Sequence, residues 1–318
     1  MGYAASMRNA MQLLVGLGLL VSVAIAVADD VVLRDGTVVS GRVEAIQVEG
    51  REAIPRAQLA SVRLDGDRAT IDSVWIERLL RFALERTRRG VAADGKIGVF
   101  VDRGVHPPSA MAVIRRLDEA KRAPRLLFES DMTDPGLDGL DVIIVPGGWA
   151  PSQLVAMKAD GQAALARFVA GGGGYLGICA GGYLVCEDVV WEGAAWPYPI
   201  RLAPGTATGP IDGLAPWPQS EVFTLDLPQK RDARAIYAGG SSFDVKGAEV
   251  LAHYPNGSAA AIAFAHGKGQ LVLTGAHIEY RESADADLLA QDGWATDLKP
   301  GESALFDTFL DRLLARGK

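Results

Sequence analysis

Cys179, His277 and Glu279 are the residues of this chain whose types and spacing could carry out a reaction. The cysteine sits in Gly173-Gly174-Tyr175-Leu176-Gly177-Ile178-Cys179-Ala180-Gly181-Gly182-Tyr183, where an apolar run gives way to a turn of small residues. That is the thiol counterpart of the G-x-S-x-G nucleophile elbow, a strained strand-to-helix turn that holds its nucleophile at the apex. Gly177 and Gly181 suit such a turn, because side chains two residues either way of the apex would clash. A helix starting at the cysteine would aim free N–H groups and a positive dipole end at the sulfur. Both favour thiolate, the form that attacks carbonyls. The same residues also fit a Gly-rich turn around a buried, inert Cys.

A partner lies downstream. Gly269-Gln270-Leu271-Val272-Leu273-Thr274-Gly275 reads as a buried strand, and Ala276-His277-Ile278-Glu279 follows at its C-terminal end. Residues two apart in extended chain point the same way. Glu279 could therefore hold the His277 tautomer while the imidazole takes the thiol proton. Strand C-terminal ends of a parallel α/β sheet converge on one edge, where Cys179 also falls. A solvated loop could carry H-x-E by itself, but an elbow and a strand-end H-x-E together point to a triad. Side chains at strand ends lie outside the core, so replacing them is expected to spare folding.

The order strand–Pro-Gly-Gly, G-x-C-x-G-G, then strand–H-x-E resembles the class I glutamine amidotransferase-like superfamily. Within it, Val145-Pro146-Gly147-Gly148-Trp149, Gly174 to Tyr183, and Ile236-Tyr237-Ala238-Gly239-Gly240 look most like the biotin-protein-ligase N-terminal (BPL_N) domain family. The resemblance covers 96–318. It implies Cys179 as nucleophile, His277 as base and Glu279 as its orienter. It also implies an oxyanion hole at the N–H groups of Gly148 and Ala180, with Gly147 letting the backbone approach. True glutamine amidotransferases usually carry a Gln a few residues past the cysteine. Here the run is Gly181-Gly182-Tyr183-Leu184, which argues against glutamine as substrate. There is no Gly/Arg-rich adenylate loop, so the family name implies no biotin chemistry. Trp149, Tyr183 and His106 are candidate substrate contacts, His106 because it ends the first strand on the elbow's edge of the sheet.

Composition narrows the function further. With 318 residues, 49% of them apolar, the chain can bury one large core or two modest ones. A net charge of −7 without a basic-aromatic cluster argues against nucleic acid as a partner. Arg81, Arg86, Arg88 and Arg89 alternate with Glu77 and Glu85, the pattern of a solvated helix face. The four His are scattered and no C-x-x-C or H-x-x-x-H pair exists, so no metal site is legible; Asp285 and Asp287 look too exposed to count. No cofactor pattern is present either, since Gly171 to Gly174 precedes a strand and lacks the Lys-Ser/Thr tail of a nucleotide loop. The expected partner is a small-molecule or peptide substrate.

The N-terminus carries a targeting pattern. Arg8 precedes an uncharged stretch to Ala28, almost wholly apolar from Leu13 to Val27, and Ala26-Val27-Ala28 fits an A-x-A cleavage site. Residues 1–28 read as a secretory signal peptide, too short in its apolar core for a spanning helix. The expectation is a periplasmic or secreted protein with no stable membrane insertion after cleavage; the alternative is anchoring by an uncleaved N-terminal segment. Cys179 and Cys186 are expected to be free thiols. Seven residues of helix would separate their Cα atoms by roughly 10 Å, beyond the roughly 7 Å a disulfide spans.

The expected fold is α/β, a flavodoxin-like, mainly parallel sheet with helices on both faces over 96–318, preceded by a small all-β SH3- or Sm-like unit at 29–66. Val31 to Arg34 and Thr37 to Ile46 flank Asp35-Gly36 as a hairpin, with a further strand at Ser61 to Leu64. That unit would serve docking or homo-oligomerisation. Residues 67–95 form a linker with a helix from Ile71 to Arg89. In the large domain, strands are expected at Ile97 to Val101, Arg125 to Glu129, Asp141 to Val145 and Tyr175 to Ile178. Helices are expected from Pro107 to Lys121 and from Ala163 to Ala170. Later strands fall at Glu221 to Leu227, Ala235 to Ala238 and Ala259 to Ala265. Val189 to Pro228 lacks periodicity; its Trp191, Trp196, Tyr198 and Trp217 could wall a pocket or pack as core under a long loop. His266 reads as a solvated turn residue and His253 as structural.

Overall fold

The computed structural model describes residues 95–228, 233–291, 299–300 and 304–315, five short strands between 29 and 70, and residues 82, 86 and 93. The leader segment, the strand expected at Ser61 to Leu64 and most of the linker helix lie outside the described residues. At the N-terminal end β1 (Asp29–Val32) pairs antiparallel with β2 (Val38–Gly41), with Val32 opposite Val38, one residue off the register a two-residue Asp35-Gly36 turn would set; the residues between the strands lie outside the described ones. A two-residue pair, β3 (Ala45–Ile46) with β4 (Ile54–Pro55), follows. The third strand against β1 is β5 (Arg68–Thr70), so this sheet reaches past the boundary expected at 66.

The large domain starts with β6 (Ile97–Phe100), buried along its length. Helix α1 (Pro107–Glu119) opens on two prolines, whose fixed φ and missing N–H suit a first turn. Its buried Ala110, Val113, Ile114 and Leu117 recur at helical spacing, and they face the core. Then come β7 (Arg125–Leu127), the short α2 (Asp134–Leu137) and β8 (Val142–Val145), every residue of which is buried. Helix α3 (Ala150–Gly171) begins well before the expected Ala163, with a kink at Lys158 where φ is 53°, and closes at Gly172 with φ 127°. β9 (Gly174–Ile178) runs into α4 (Ala180–Leu184) through Cys179.

The aperiodic region turns out to be about half strand. β10 (Cys186–Trp191) and β11 (Ala194–Pro197) form a hairpin closed by Glu192 and Gly193, with φ of 50° and 79°, the positive pair that a two-residue turn of this twist needs. β12 (Ala203–Gly209), β13 (Glu221–Leu225), β14 (Ala233–Tyr237), β15 (Ser242–Val245) and β16 (Glu249–His253) follow. The chain then enters β17 (Ala259–His266) and β18 (Gly269–Thr274) and finishes with α5 (Ala286–Gln291) and α6 (Leu305–Leu314). β11, β10, β12 and β15 make one sheet and β13 and β14 another. These strands escape an alternation test because their faces are half covered and β11 is exposed throughout.

The main sheet has the order β16-β17-β18-β9-β8-β6-β7. From β18 to β7 all pairings are parallel, and the order of these strands is that of a flavodoxin-like sheet. β17 and β16 extend it antiparallel. β6, β8, β9 and β18 are buried from end to end, as strands covered on both faces must be. The fold is thus α/β with a large, mainly parallel sheet, and its C-terminal strand ends bring the elbow and the H-x-E segment to one edge.

Candidate active site

The β9–α4 junction is held by close backbone contacts. Cys179 has φ 52° and ψ −107°, a sparsely populated conformation for a residue with a side chain. Its N–H donates to the Thr274 carbonyl at 2.7 Å, and its own carbonyl accepts from Gly182 N–H at 2.9 Å, so both neighbours pin it. A Cβ at Gly177 would stand 2.4 Å from the Gly181 carbonyl oxygen, and one at Gly181 would stand 2.1 Å from that of Val145. Those are the clashes the elbow pattern anticipates. Helix α4 is a single short turn, however, and Cys186 opens β10 instead of lying two turns along a helix. Both thiols are free, as expected. Burial pushes the Cys186 thiol up to about 12.

His277 and Glu279 follow the end of β18, and His277 is fixed through its backbone. Its N–H donates to Ile236 O at 2.8 Å, so β14 from the second sheet clamps the imidazole's main chain. His277 Nδ1 donates to Glu279 Oε1 across 2.8 Å, which leaves the ring's other nitrogen to serve the neighbouring Cys179 sulfur. Burial alone would lower the imidazole. The Glu279 carboxylate and Cys179 together outweigh it and raise His277 to about 10. The two side chains are not at an open strand end: His277 is 3% exposed and Glu279 0%. The expectation that replacing them spares folding is corrected on that ground, because their burial makes every hydrogen bond between them costly to break.

Sequence reasoning missed Ser109. Its hydroxyl, fully buried in the first turn of α1, donates to Glu279 Oε1 at 2.6 Å and accepts from the Gly147 N–H at 3.0 Å. A signal was present: Ser109 falls on the line of Val113 and Leu117, one hydroxyl on an apolar stripe next to the active edge of the sheet. The same helix holds the chain beyond Glu279. Arg115 donates to both carboxylate oxygens of Asp287 at 2.7 Å, and Glu119 and Asp285 both pair with Arg281. Asp285 is therefore fully buried and engaged, contrary to its exposed look in the sequence. Arg86 likewise pairs with Asp118 at 2.7 Å instead of facing solvent, the other linker arginines lying outside the described residues.

The two glycines of the Pro-Gly-Gly turn have different surroundings. Gly147 donates its N–H to the Ser109 hydroxyl at 3.0 Å. Its lack of a side chain makes room for the base, since a Cβ there would meet His277 Cε1 at 2.4 Å. Gly148 has φ +145°, and a Cβ would meet Gly104 O at 2.0 Å. Among the described residues neither the Gly148 nor the Ala180 N–H donates a backbone hydrogen bond, and both residues line the cavity that Cys179 enters. His106 is placed elsewhere. It precedes α1, its N–H donates to Gly147 O at 2.8 Å, and it does not line the cavity. His266, expected in solvent, is half-buried with Nδ1 2.9 Å from Leu202 O.

The cavity has a volume of about 280 Å³. Trp149, Tyr183, Trp191, Trp196, Tyr198 and Trp217 line it, so the aromatic residues of the 189–228 region do wall a pocket. Trp191 is the centre of the wall, meeting Trp149 at 5.6 Å, Trp217 at 5.7 Å and Tyr183 at 5.9 Å between ring centroids, all edge to face. The Tyr183 hydroxyl donates to Gly239 O at 3.1 Å, which ties α4 to the segment after β14. Among the described residues no group of three or more His, Cys, Asp or Glu could hold a metal.

In strand order, elbow and strand-end H-x-E the scaffold resembles that of the class I glutamine amidotransferase-like kind. The model of the family described as biotin-protein ligase, N terminal, matches residues 129–210, a segment that contains Gly147, Gly148, Cys179 and Ala180 but neither His277 nor Glu279. An uncharacterized protein of Chlamydia muridarum (strain MoPn / Nigg) is 28% identical, over 58% of this chain and 80% of its own length. Among solved structures, a glutamine amidotransferase shares 18% identity over 62% of this chain and 98% of its own, with a TM-score of 0.47. PurLQS of Thermotoga maritima shares 16% over 69% and 98%, with a TM-score of 0.45. A β-galactosidase from Bacillus circulans sp. alkalophilus, 18% identical with a TM-score of 0.41, is matched over 64% of this chain and only 31% of that enzyme.

Proposed function

We propose that this protein is a cysteine-dependent hydrolase of an amide or related acyl bond, with Cys179 as nucleophile, His277 as acid and base, and Glu279 as the group that orients it. The observation that carries this reading is the buried hydrogen-bonded line from the Gly147 N–H through Ser109 and Glu279 to His277, whose imidazole is electrostatically coupled to Cys179. In the reaction, the Cys179 sulfur bonds to the substrate carbonyl carbon and the C=O electrons move to oxygen, which the Gly148 and Ala180 N–H groups would receive. His277 gives its proton to the leaving amine as the C–N bond breaks, and a thioester remains. Water then attacks the thioester carbon, passes a proton to His277, and releases the acid and the thiolate. A raised His277 supports this cycle, because an imidazolium beside the sulfur is the arrangement that activates a cysteine.

The test is alkylation with iodoacetamide followed by mass spectrometry. Cys179 reacts quickly and Cys186 does not, and His277→Ala slows the Cys179 reaction. Equal, slow modification of both thiols would instead identify a non-catalytic binding protein on the same scaffold. Residues 1–28 support export, so the mature chain would begin at Asp29; N-terminal sequencing from the native host checks this, and a chain still beginning before Leu13 refutes it.

A further inference from the structure

From the chemistry of the cavity in front of Cys179, we infer that the site takes an uncharged, apolar acyl group, aromatic or branched aliphatic, and not an amino acid. This rests on the hydrolase reading for the reaction, but on the cavity alone for the ligand. Among the described residues no acidic or basic side chain lines that cavity. A free amino acid held at its side-chain amide would bring an ammonium and a carboxylate with it. Both would lose water with no counter-charge in the wall to replace it. The Tyr183 hydroxyl donates its proton to Gly239 O, so that proton is not available to such a ligand's carboxylate.

The wall is shaped for flat or branched apolar groups. Trp217 packs onto Gly239, where a Cβ would meet its ring at 2.5 Å, so a glycine with φ +66° is what lets the ring close in. Leu154, Pro151 and Val189 complete the apolar surface. The aromatic faces could in principle attract a cation. Here, though, Trp191 meets its three ring neighbours at interplanar angles of 68° to 89°, so these rings pack on one another within the wall. At about 280 Å³ the space lies at the low end of ligand pockets, which limits the acyl group to a small one. Trp196 stands at the mouth, lining the cavity while 56% exposed, so an occupant would cover a ring that is otherwise open to water.

The experiment is calorimetric titration of Cys179→Ala, which keeps the cavity and removes turnover, with phenylacetamide, L-glutamine and choline. Phenylacetamide binds at least about tenfold more tightly than the other two, and Trp196→Ala in the same background weakens it by about tenfold while the circular dichroism stays unchanged. Glutamine or choline binding as tightly as phenylacetamide, or phenylacetamide failing to saturate, overturns the inference. The two readings fail separately. Phenylacetamide bound by Cys179→Ala but never hydrolysed by wild type leaves the pocket assignment standing and removes the hydrolase. Hydrolysis of glutamine by wild type, lost in Cys179→Ala, does the reverse.

Discussion

Ser109→Ala is the perturbation that most directly probes the buried line behind the triad. The hydroxyl carries two hydrogen bonds at a fully buried position, 2.6 Å to Glu279 Oε1 and 3.0 Å from the Gly147 N–H. Glu279 Oε2 has no hydrogen-bond partner among the described residues, so after the substitution the carboxylate keeps only His277. Losing a bond to a charged group and orphaning a buried N–H amount together to about 3 kcal/mol. For a domain of this size that lowers the melting temperature by about 6–12 °C. Because Ser109 does not line the cavity, KM is expected to stay near wild type. kcat should fall by about ten- to a hundredfold, by analogy with the loss of an outer hydrogen-bond partner of a metal-binding side chain. Differential scanning calorimetry and steady-state kinetics on a substrate found by screening amides give both numbers. A variant that melts like wild type refutes the hydrogen-bond line. One that is destabilised with kcat intact shows Ser109 to be a strut of the fold with no part in positioning Glu279.

Three further outcomes are expected. Gly147→Ala should lower kcat by about a hundredfold, since a Cβ 2.4 Å from His277 Cε1 must push the imidazole off its line to the sulfur; unchanged turnover would show that the ring has room to move. Cys179→Ala should abolish turnover and His277→Ala should cost nearly as much, and the double variant should be no worse than the first alone, because the pair acts as one unit. His277 is raised from 6.5 to about 10 in the folded protein, burial opposing and the Glu279 carboxylate and Cys179 driving the rise. A group raised on folding binds its proton more tightly in the native state, so its contribution is complete below about 6.5 and is lost as pH climbs through 10. Urea midpoints should therefore fall more steeply between those values in wild type than in His277→Gln, and identical slopes would contradict this.

The elbow was legible because its constraint is local. Gly177 and Gly181 are required by backbone atoms within a few residues or on the adjacent strand, and the buried runs Val142–Val145, Gly174–Ile178 and Gly269–Thr274 announce a sheet covered on both faces. The two-residue step from His277 to Glu279 likewise follows from extended backbone. Ser109 could not be paired with Glu279 from the sequence, since 170 residues separate them and only the packing of α1 over the strand ends joins them. The sheet from β10 to β12 with β15 was hidden for a related reason: strands half covered on one side and open on the other show no alternation, and their pairing is set by chain segments far apart. The same holds for Gly147. Its sequence neighbours suggest a turn of close backbone approach, but not that the serine on α1 takes its N–H or that the imidazole occupies the space a side chain would need. Periodicity and turn chemistry report what a residue does to its own backbone. Which hydrogen bond a buried group finally makes depends on the element packed against it, and that is decided only when the helices and the second sheet close over the strand ends.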